Sequence, residues 1–263
     1  MNGDTNRLPE IKAIERQEFE RFNRYVQQLD AGGWVEQSYC TDWLVYQVVS
    51  HLGSGARIGR MRLEAWTDRR PPVSREEMQA VWGFFDSLRP HQMLEAYSEA
   101  AQEYMAEIET LPDEVGTREV DGFAGKRPLF GYQLSRLWEL AHHTWDVYVA
   151  RDRQARLPAD AVAILATLLQ YASLPIDQQR AAVLAEERVE LRVIDSRLVY
   201  ALDLSGQRPR LVPGPAHRPT VSIEGPAEEL VRFVAGRHYV PGNMPLLRAV
   251  TGDLTNVRRA LRP

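Results

Sequence analysis

Glu139 and His143 lie four residues apart in the run Leu137-Trp-Glu-Leu-Ala-His-His-Thr-Trp-Asp-Val147. Four residues is slightly more than one helical turn, so a carboxylate and an imidazole leave the same helix face and can close on one divalent cation. His51, on an earlier stripe with Leu44, Val48, Gly55 and Ile58, offers a third donor. Two imidazoles and one carboxylate leave a four-coordinate ion with one free position, the arrangement of catalytic zinc. A plainer reading stays open on spacing alone. The polar half of the later helix (Ser135, Arg136, Glu139, His142, His143, Asp146) reads equally well as a solvated surface, and His51 as a core histidine bonded to backbone. A buried carboxylate beside two imidazoles is costly to desolvate unless a cation compensates it, so the choice turns on whether that stripe faces inward. Asp146, three residues past His143, is spaced to orient a ligand imidazole. His142 reads as surface or as a support behind the ligands, with Asp146 as an i+4 partner, and His91, His217 and His238 as ordinary. Cys40 could lie near a site at the start of the second helix or be inert packing.

These side chains need helices to carry them. Apolar residues at Ile11, Ile14, Phe22, Val26 and Leu29 predict a helix over 9–30, begun at Pro9 and ended by Gly32-Gly33. Asp42 is the expected N-cap of a second helix from Trp43 to about Arg60. Ser74 followed by Glu77 makes a capping box that opens a long helical stretch interrupted near Pro90. Residues 112–128 read as a long loop able to cover a site, and 129–151 as the helix bearing Glu139 and His143. Four amphipathic helices so connected predict a four-helix bundle.

Beyond residue 151 the pattern changes. Helix is expected over 158–174 and 176–186, strands over 189–194, 198–204 and 220–224 with a turn at Asp195-Ser196, then a helix over 227–235 and a short one from about Asp253. The expected fold class is α+β, with a bundle over 1–154 and a small α+β domain over 155–263.

Composition narrows the function classes. The 263 residues carry a net charge of −4, so nothing pulls the chain toward phosphate backbones, and nucleic acid is not an expected partner. Apolar runs fall well short of the roughly 18 residues of a membrane span, and the polar start lacks the pattern of a secretory signal. A single cysteine excludes an internal disulfide and suits a reducing cytoplasm. No Gly-rich phosphate loop, serine nucleophile elbow or CxxC pair occurs.

Three motifs in order carry a resemblance. Trp34-Val-Glu-Gln-Ser-Tyr-Cys-Thr-Asp-Trp-Leu-Val-Tyr-Gln-Val-Val-Ser-His-Leu52 resembles the first ligand segment of the mycothiol-dependent maleylpyruvate isomerase family, part of the DinB-like metal-binding superfamily. Leu137 to Asp146 resembles its second ligand motif, and Val221 to Arg237 its C-terminal, sterol-carrier-like domain. The resemblance implies a DinB-like bundle followed by that α+β domain, with His51, Glu139 and His143 as ligands of a divalent metal, zinc being expected. It also implies that Arg237 binds a carboxylate of substrate or thiol, and that a low-molecular-weight thiol, mycothiol or an analogue, meets a small electrophile at the metal. The thiolate adds to an electrophilic carbon. If it later leaves, a cis double bond returns as trans; if it stays, the product is a thiol conjugate. Where relatives of this family carry Gly-Trp, this chain has Asp42-Trp43. A metal-dependent hydrolase, or a non-catalytic metal-stabilised binding or regulatory protein, is the alternative, and the chain is expected to act as a monomer or homodimer.

Overall fold

Long apolar stripes at helical spacing, separated by proline, glycine and capping residues, give the first half of the chain its helices. In this computed structural model, which describes residues 6–122, 125–172, 174–206 and 208–261, they are α1 (Leu8–Gln27), α2 (Ala31–Trp34), α3 (Val45–Thr67), α4 (Arg75–Asp86), α5 (Pro90–Thr110) and α6 (Leu129–Arg151). The polar start at 1–5, and residue 173 of the expected 158–174 helix, fall outside the described residues. The chain divides into two compact units, Met1–Arg151 and Asp152–Pro263.

In the first unit α1, α3, α5 and α6 form the four-helix bundle, α3 packing on α5 and α6, and α1 on the same two. Its core holds Phe22, Ile58, Leu63, Tyr97, Phe130 and Trp145, each at most 2% exposed. The capping box forms as expected: Ser74 Oγ accepts from Glu77 N–H, and Glu77 returns a carboxylate to Ser74 N–H at 2.7 Å.

Several boundaries differ from expectation. Gly32-Gly33 do not end α1; they sit inside α2, whose N-cap Asp30 accepts from Gly33 N–H at 2.7 Å. Asp42 lies in a turn, and α3 starts at Val45, where Gln47 Oε1 accepts from Leu44 N–H at 2.8 Å. That helix runs seven residues past Arg60 because Leu63 and Ala65 still bury against the bundle. The expected loop over 112–128 holds a 3₁₀ turn and an antiparallel hairpin, β1 (Glu119–Gly122) with β2 (Gly125–Pro128).

The second unit is α+β. Helices α7 (Ala159–Thr167) and α8 (Gln178–Val183) precede β3 (Val189–Val193), β4 (Leu198–Asp203), β5 (Arg210–Pro213), β6 (Val221–Gly225), α9 (Ala227–Val234), β7 (Arg248–Thr251) and α10 (Thr255–Ala260). The sheet order is β5-β4-β3-β6-β7, with only the β3–β6 pair parallel. The strand pair β3–β4 turns through Asp195-Ser196 and Arg197, whose φ is 57°. Asp195 then accepts from Ala227 N–H at 3.1 Å, tying that turn to the start of α9. Tyr200 reaches from β4 to the Ala166 carbonyl at 2.9 Å, and α7 packs on α9. Gly236, at φ 80°, ends α9 where a side chain at Cβ would be strained. Among the described residues no helix is long and apolar enough to cross a membrane.

Candidate metal centre

The polar half of α6 is drawn toward the bundle and not left in water. Asp146 and His142 are buried, and Ser135, Arg136, Glu139 and His143 are half-buried. Small residues on α3 make room for the stripe: a Cβ built on Gly55 would lie 3.0 Å from Arg136 Nη1, and one on Gly59 would touch Arg136 Nε at 3.7 Å as well as the Tyr104 ring of α5 at 3.0 Å. Gly55 and Gly59 follow His51 by four and eight residues, so the face that carries the histidine is also the face that admits the charged stripe of α6.

On that seam His51 and His143 both aim Nε2 at one oxygen, Glu139 Oε2, at 3.4 Å each. The nearest ligand atoms of the three residues all lie within 4.8 Å of one another. A distance of 3.4 Å is long for a charge-assisted hydrogen bond, which prefers about 2.7–2.9 Å. It is the edge expected of a tetrahedron: bonds of about 2.0–2.1 Å to a common ion hold neighbouring donors about 3.3–3.4 Å apart. The two imidazoles face edge to ring, centroids 4.7 Å apart. His51 and Glu139 keep 37% of their side-chain surface open, so the donor set is reachable from solvent. The residues present therefore fit a divalent cation with an open position.

Behind the donors a chain of hydrogen bonds fixes His143. Its Nδ1–H donates to Asp146 Oδ2 at 2.9 Å, which leaves the Nε2 lone pair for a cation. The thiol of Cys40 donates to the same Asp146 oxygen at 3.2 Å. Tyr39 N–H donates to the Asp146 carbonyl at 3.0 Å, and Gln37 Nε2 bonds the carbonyls of Cys40 and Trp43, both at 2.9 Å. The segment before α3 is thus clamped to α6. Trp43, at its end, lies over His51 and His143 with centroids 5.0 and 5.8 Å away. Cys40, His143 and Asp146 form a second candidate ligand group, but their donor atoms are already spent on one another.

The electrostatics follow from that geometry. Burial pushes the Glu139 carboxyl up, but hydrogen bonds from His143 and His51 outweigh it and hold it well below the usual carboxylate range. Burial opposes charge on His143, yet Asp146, Cys40 and Glu139 together raise it well above an ordinary histidine. His51 goes the other way, lowered first by burial and then by the charge of His143, with Glu139 working against both.

Of the residues singled out from spacing, His51, Glu139, His143 and Asp146 come together. Arg237 lies in the second unit, just past α9, where Nη1 donates to the Ala235 carbonyl at 2.8 Å. His142 is neither surface nor a partner of Asp146 in the way expected. It is buried against its own helix, its Nδ1 donating to the Trp138 carbonyl at 2.8 Å and its ring against Trp138 at 4.2 Å. Cys40 and Trp43 were each placed near the start of the second helix, by a possible site or its entrance, but their contacts to His143 are what sequence reasoning missed. Their contacts to His143 span about a hundred residues, and no local pattern reports such a contact.

The family model for the mycothiol maleylpyruvate isomerase N-terminal domain matches residues 16–148. Among solved structures, the mycothiol-dependent maleylpyruvate isomerase is similar to this chain at 19% identity and a TM-score of 0.68, covering 95% of both chains. A histidine-to-alanine mutant of that isomerase is similar at 18% identity, with the same TM-score and coverage. At these identities the likeness is one of fold. No curated protein matches the chain.

Proposed function

The chain belongs to the family of the mycothiol maleylpyruvate isomerase N-terminal domain, and from that premise we propose that it is a metal-dependent enzyme using a low-molecular-weight thiol. The thiol is mycothiol or an analogue, and the reaction is thiol S-transfer to, or cis–trans isomerisation of, a small electrophile. The observation that carries the reading is the convergence of two imidazole nitrogens on one Glu139 oxygen at 3.4 Å, open on one side to solvent. A divalent ion held there, zinc by donor type, would favour the thiolate over the thiol of a bound cofactor.

The chain's own residues divide the remaining work. His51, Glu139 and His143 hold the ion. Asp146 keeps the His143 tautomer and ring angle, a role supported by the 2.9 Å bond to Nδ1. Trp43 walls the histidines and excludes water from one side of them. Arg237 is assigned a carboxylate of the substrate or thiol, on the strength of the C-terminal motif and the bidentate fit of guanidinium to carboxylate. A cytoplasmic setting goes with that thiol chemistry.

The test is turnover of a cis-enone or similar electrophile by zinc-loaded protein with and without thiol. Conversion that needs both supports the proposal. Conversion with water alone would reassign the site to metal-assisted hydrolysis, and a metal held by four protein ligands with no conversion would point to a structural or regulatory site.

A further inference from the structure

Toward the end of α3 that lies away from His51, the first unit carries a cleft of about 540 Å³ between that helix, the start of α4 and β1. Arg62, Trp66 and Arg69, spaced by four and then three residues, line it from the last turns of α3 and the residues just past them. Trp66 Nε1 donates to the Glu119 carbonyl at 2.8 Å, which holds the indole as a fixed wall. Arg62 is half-buried and gives Nη2 to the Met78 sulfur, a weak acceptor, at 3.3 Å. Burial pushes its guanidinium below the ordinary arginine range; Tyr132 and Asp121 oppose that, and Arg136 adds to it.

Arg69 is held there by a strained backbone. The end of α3 closes through Arg69 N–H to the Trp66 carbonyl at 3.3 Å and Arg70 N–H to the Ala65 carbonyl at 2.8 Å. That closure needs a left-handed residue after the cap Asp68, and Arg69 fills it at φ 57°, where glycine is usual. Its side chain lines the cleft and makes no hydrogen bond or ion pair among the described residues. Arg70, beside it, is tied to Asp68 at 3.2 Å.

The lining decides the class of ligand. Three guanidiniums stand there against one carboxylate, Asp121, in a chain whose net charge is −4, so the cleft attracts anions that the molecule as a whole repels. Cations near a helix C-terminus complement its dipole, which accounts for Arg70 but not for Arg62, five residues before the end of α3. Trp66, Met78 and Val120 make the rest of the wall apolar, and a bare inorganic anion would leave those surfaces in contact with water. The planar fork of a guanidinium matches a carboxylate through two parallel hydrogen bonds. We propose that this cleft binds a small organic carboxylate with a flat apolar body, the carboxylate between Arg62 and Arg69 and the body against Trp66. Arg62 follows His51 by eleven residues, about 16 Å along the helix, so an occupant touches none of the candidate metal ligands. The cleft is a ligand site of its own and does not depend on the reaction proposed at the metal centre.

The experiment titrates the full chain as purified with 1-naphthoate, with neutral 1-naphthalenemethanol and with inorganic phosphate, read by ligand-observed NMR and calorimetry. Saturable binding of naphthoate is expected, with the alcohol and phosphate each about tenfold weaker or worse. Arg62→Gln and Arg69→Gly are each expected to weaken naphthoate about tenfold. Arg69→Gly also separates binding from folding: glycine relieves the backbone at φ 57°, so its urea midpoint should not fall below that of the wild type. No saturable naphthoate binding, or the alcohol or phosphate bound as tightly, overturns the proposal. Affinity unaltered in Arg69→Gly puts the carboxylate elsewhere, the candidate metal centre included, and overturns it too, whether or not Arg62→Gln folds. A midpoint that falls together with the affinity makes the loss one of structure and removes Arg69 from the site.

Discussion

Each unit encloses a group of charges, and the two are finished differently. In the second unit Arg232, fully buried, gives each arm of its guanidinium an acceptor: Nε to Glu228 at 2.7 Å, Nη2 to Glu229 at 3.1 Å, and Nη1 to the Asn243 carbonyl at 2.9 Å. Arg156 adds bonds to both glutamates. In the first unit Glu139 faces two imidazoles at 3.4 Å, and it and His51 stay more than one-third open. The first arrangement is saturated and self-contained, as a buried ion cluster must be to offset its desolvation. The second has donors converging on a shared point with hydrogen bonds too long to satisfy them, and support from Asp146 placed behind rather than between them. Closed charge holds a fold together; charge left unfinished and reachable marks a candidate site.

That contrast can be broken. His51→Ala should abolish stoichiometric zinc binding, read by metal analysis after dialysis, while the circular dichroism of the bundle stays that of the wild type. Retained full occupancy would remove His51 from the donor set. Arg232→Ala, in the saturated cluster, should leave metal content intact and cost about 3–5 kcal/mol in urea unfolding, because two carboxylates lose their buried partner. A loss under about 1 kcal/mol would show that the cluster is not structural in the sense argued.

A third group of charge lies between these cases. Glu15 in the bundle core is raised to about 7, chiefly by burial, with Arg136 and Tyr104 pulling it down. Because the folded value stands above the unfolded one, its contribution favours folding below about pH 4.5 and is lost as pH rises through about 7. Glu15→Gln should flatten the stability profile across that window, by about 3 kcal/mol at most. Urea midpoints at pH 5 and pH 8 that shift equally in variant and wild type would contradict the assignment. The smallest expected effect is at Asp146→Asn. Zinc affinity should weaken about 10–100-fold with the fold intact, as when a carboxylate behind a metal histidine is removed. An unchanged affinity in a competition titration would mean that Asp146 does not orient His143.

Much of this was legible from residue spacing. The bounds of α6 followed from its apolar period, and the four-residue gap between Glu139 and His143 picked out two residues that the structure brings together with His51. The direction of the polar stripe did not follow, because a helical wheel is identical whether that face meets water or another helix. Gly55 and Gly59 on the His51 face were the available signal, since small residues mark where a neighbour comes close. The β1–β2 hairpin escaped because backbone pairing holds it while Val120 is buried between the exposed Glu119 and Asp121, too short a run to show alternation. Edge strands β5 and β7 escaped for a related reason: β7 is exposed at every position. The contacts of Cys40 and Trp43 to α6 were beyond reach because they depend on how the segment before α3 is clamped to that helix.

The central claim is that three side chains from α3 and α6 hold one ion with a position left open. Cobalt substitution of the wild-type chain tests it most directly, read by visible absorption before and after a thiol is added. The account predicts one equivalent of four- or five-coordinate cobalt, with a sulfur-to-cobalt charge-transfer band appearing on thiol addition and no cobalt retained by His51→Ala. A spectrum that the thiol leaves unaltered, or that is the same in His51→Ala, would contradict it.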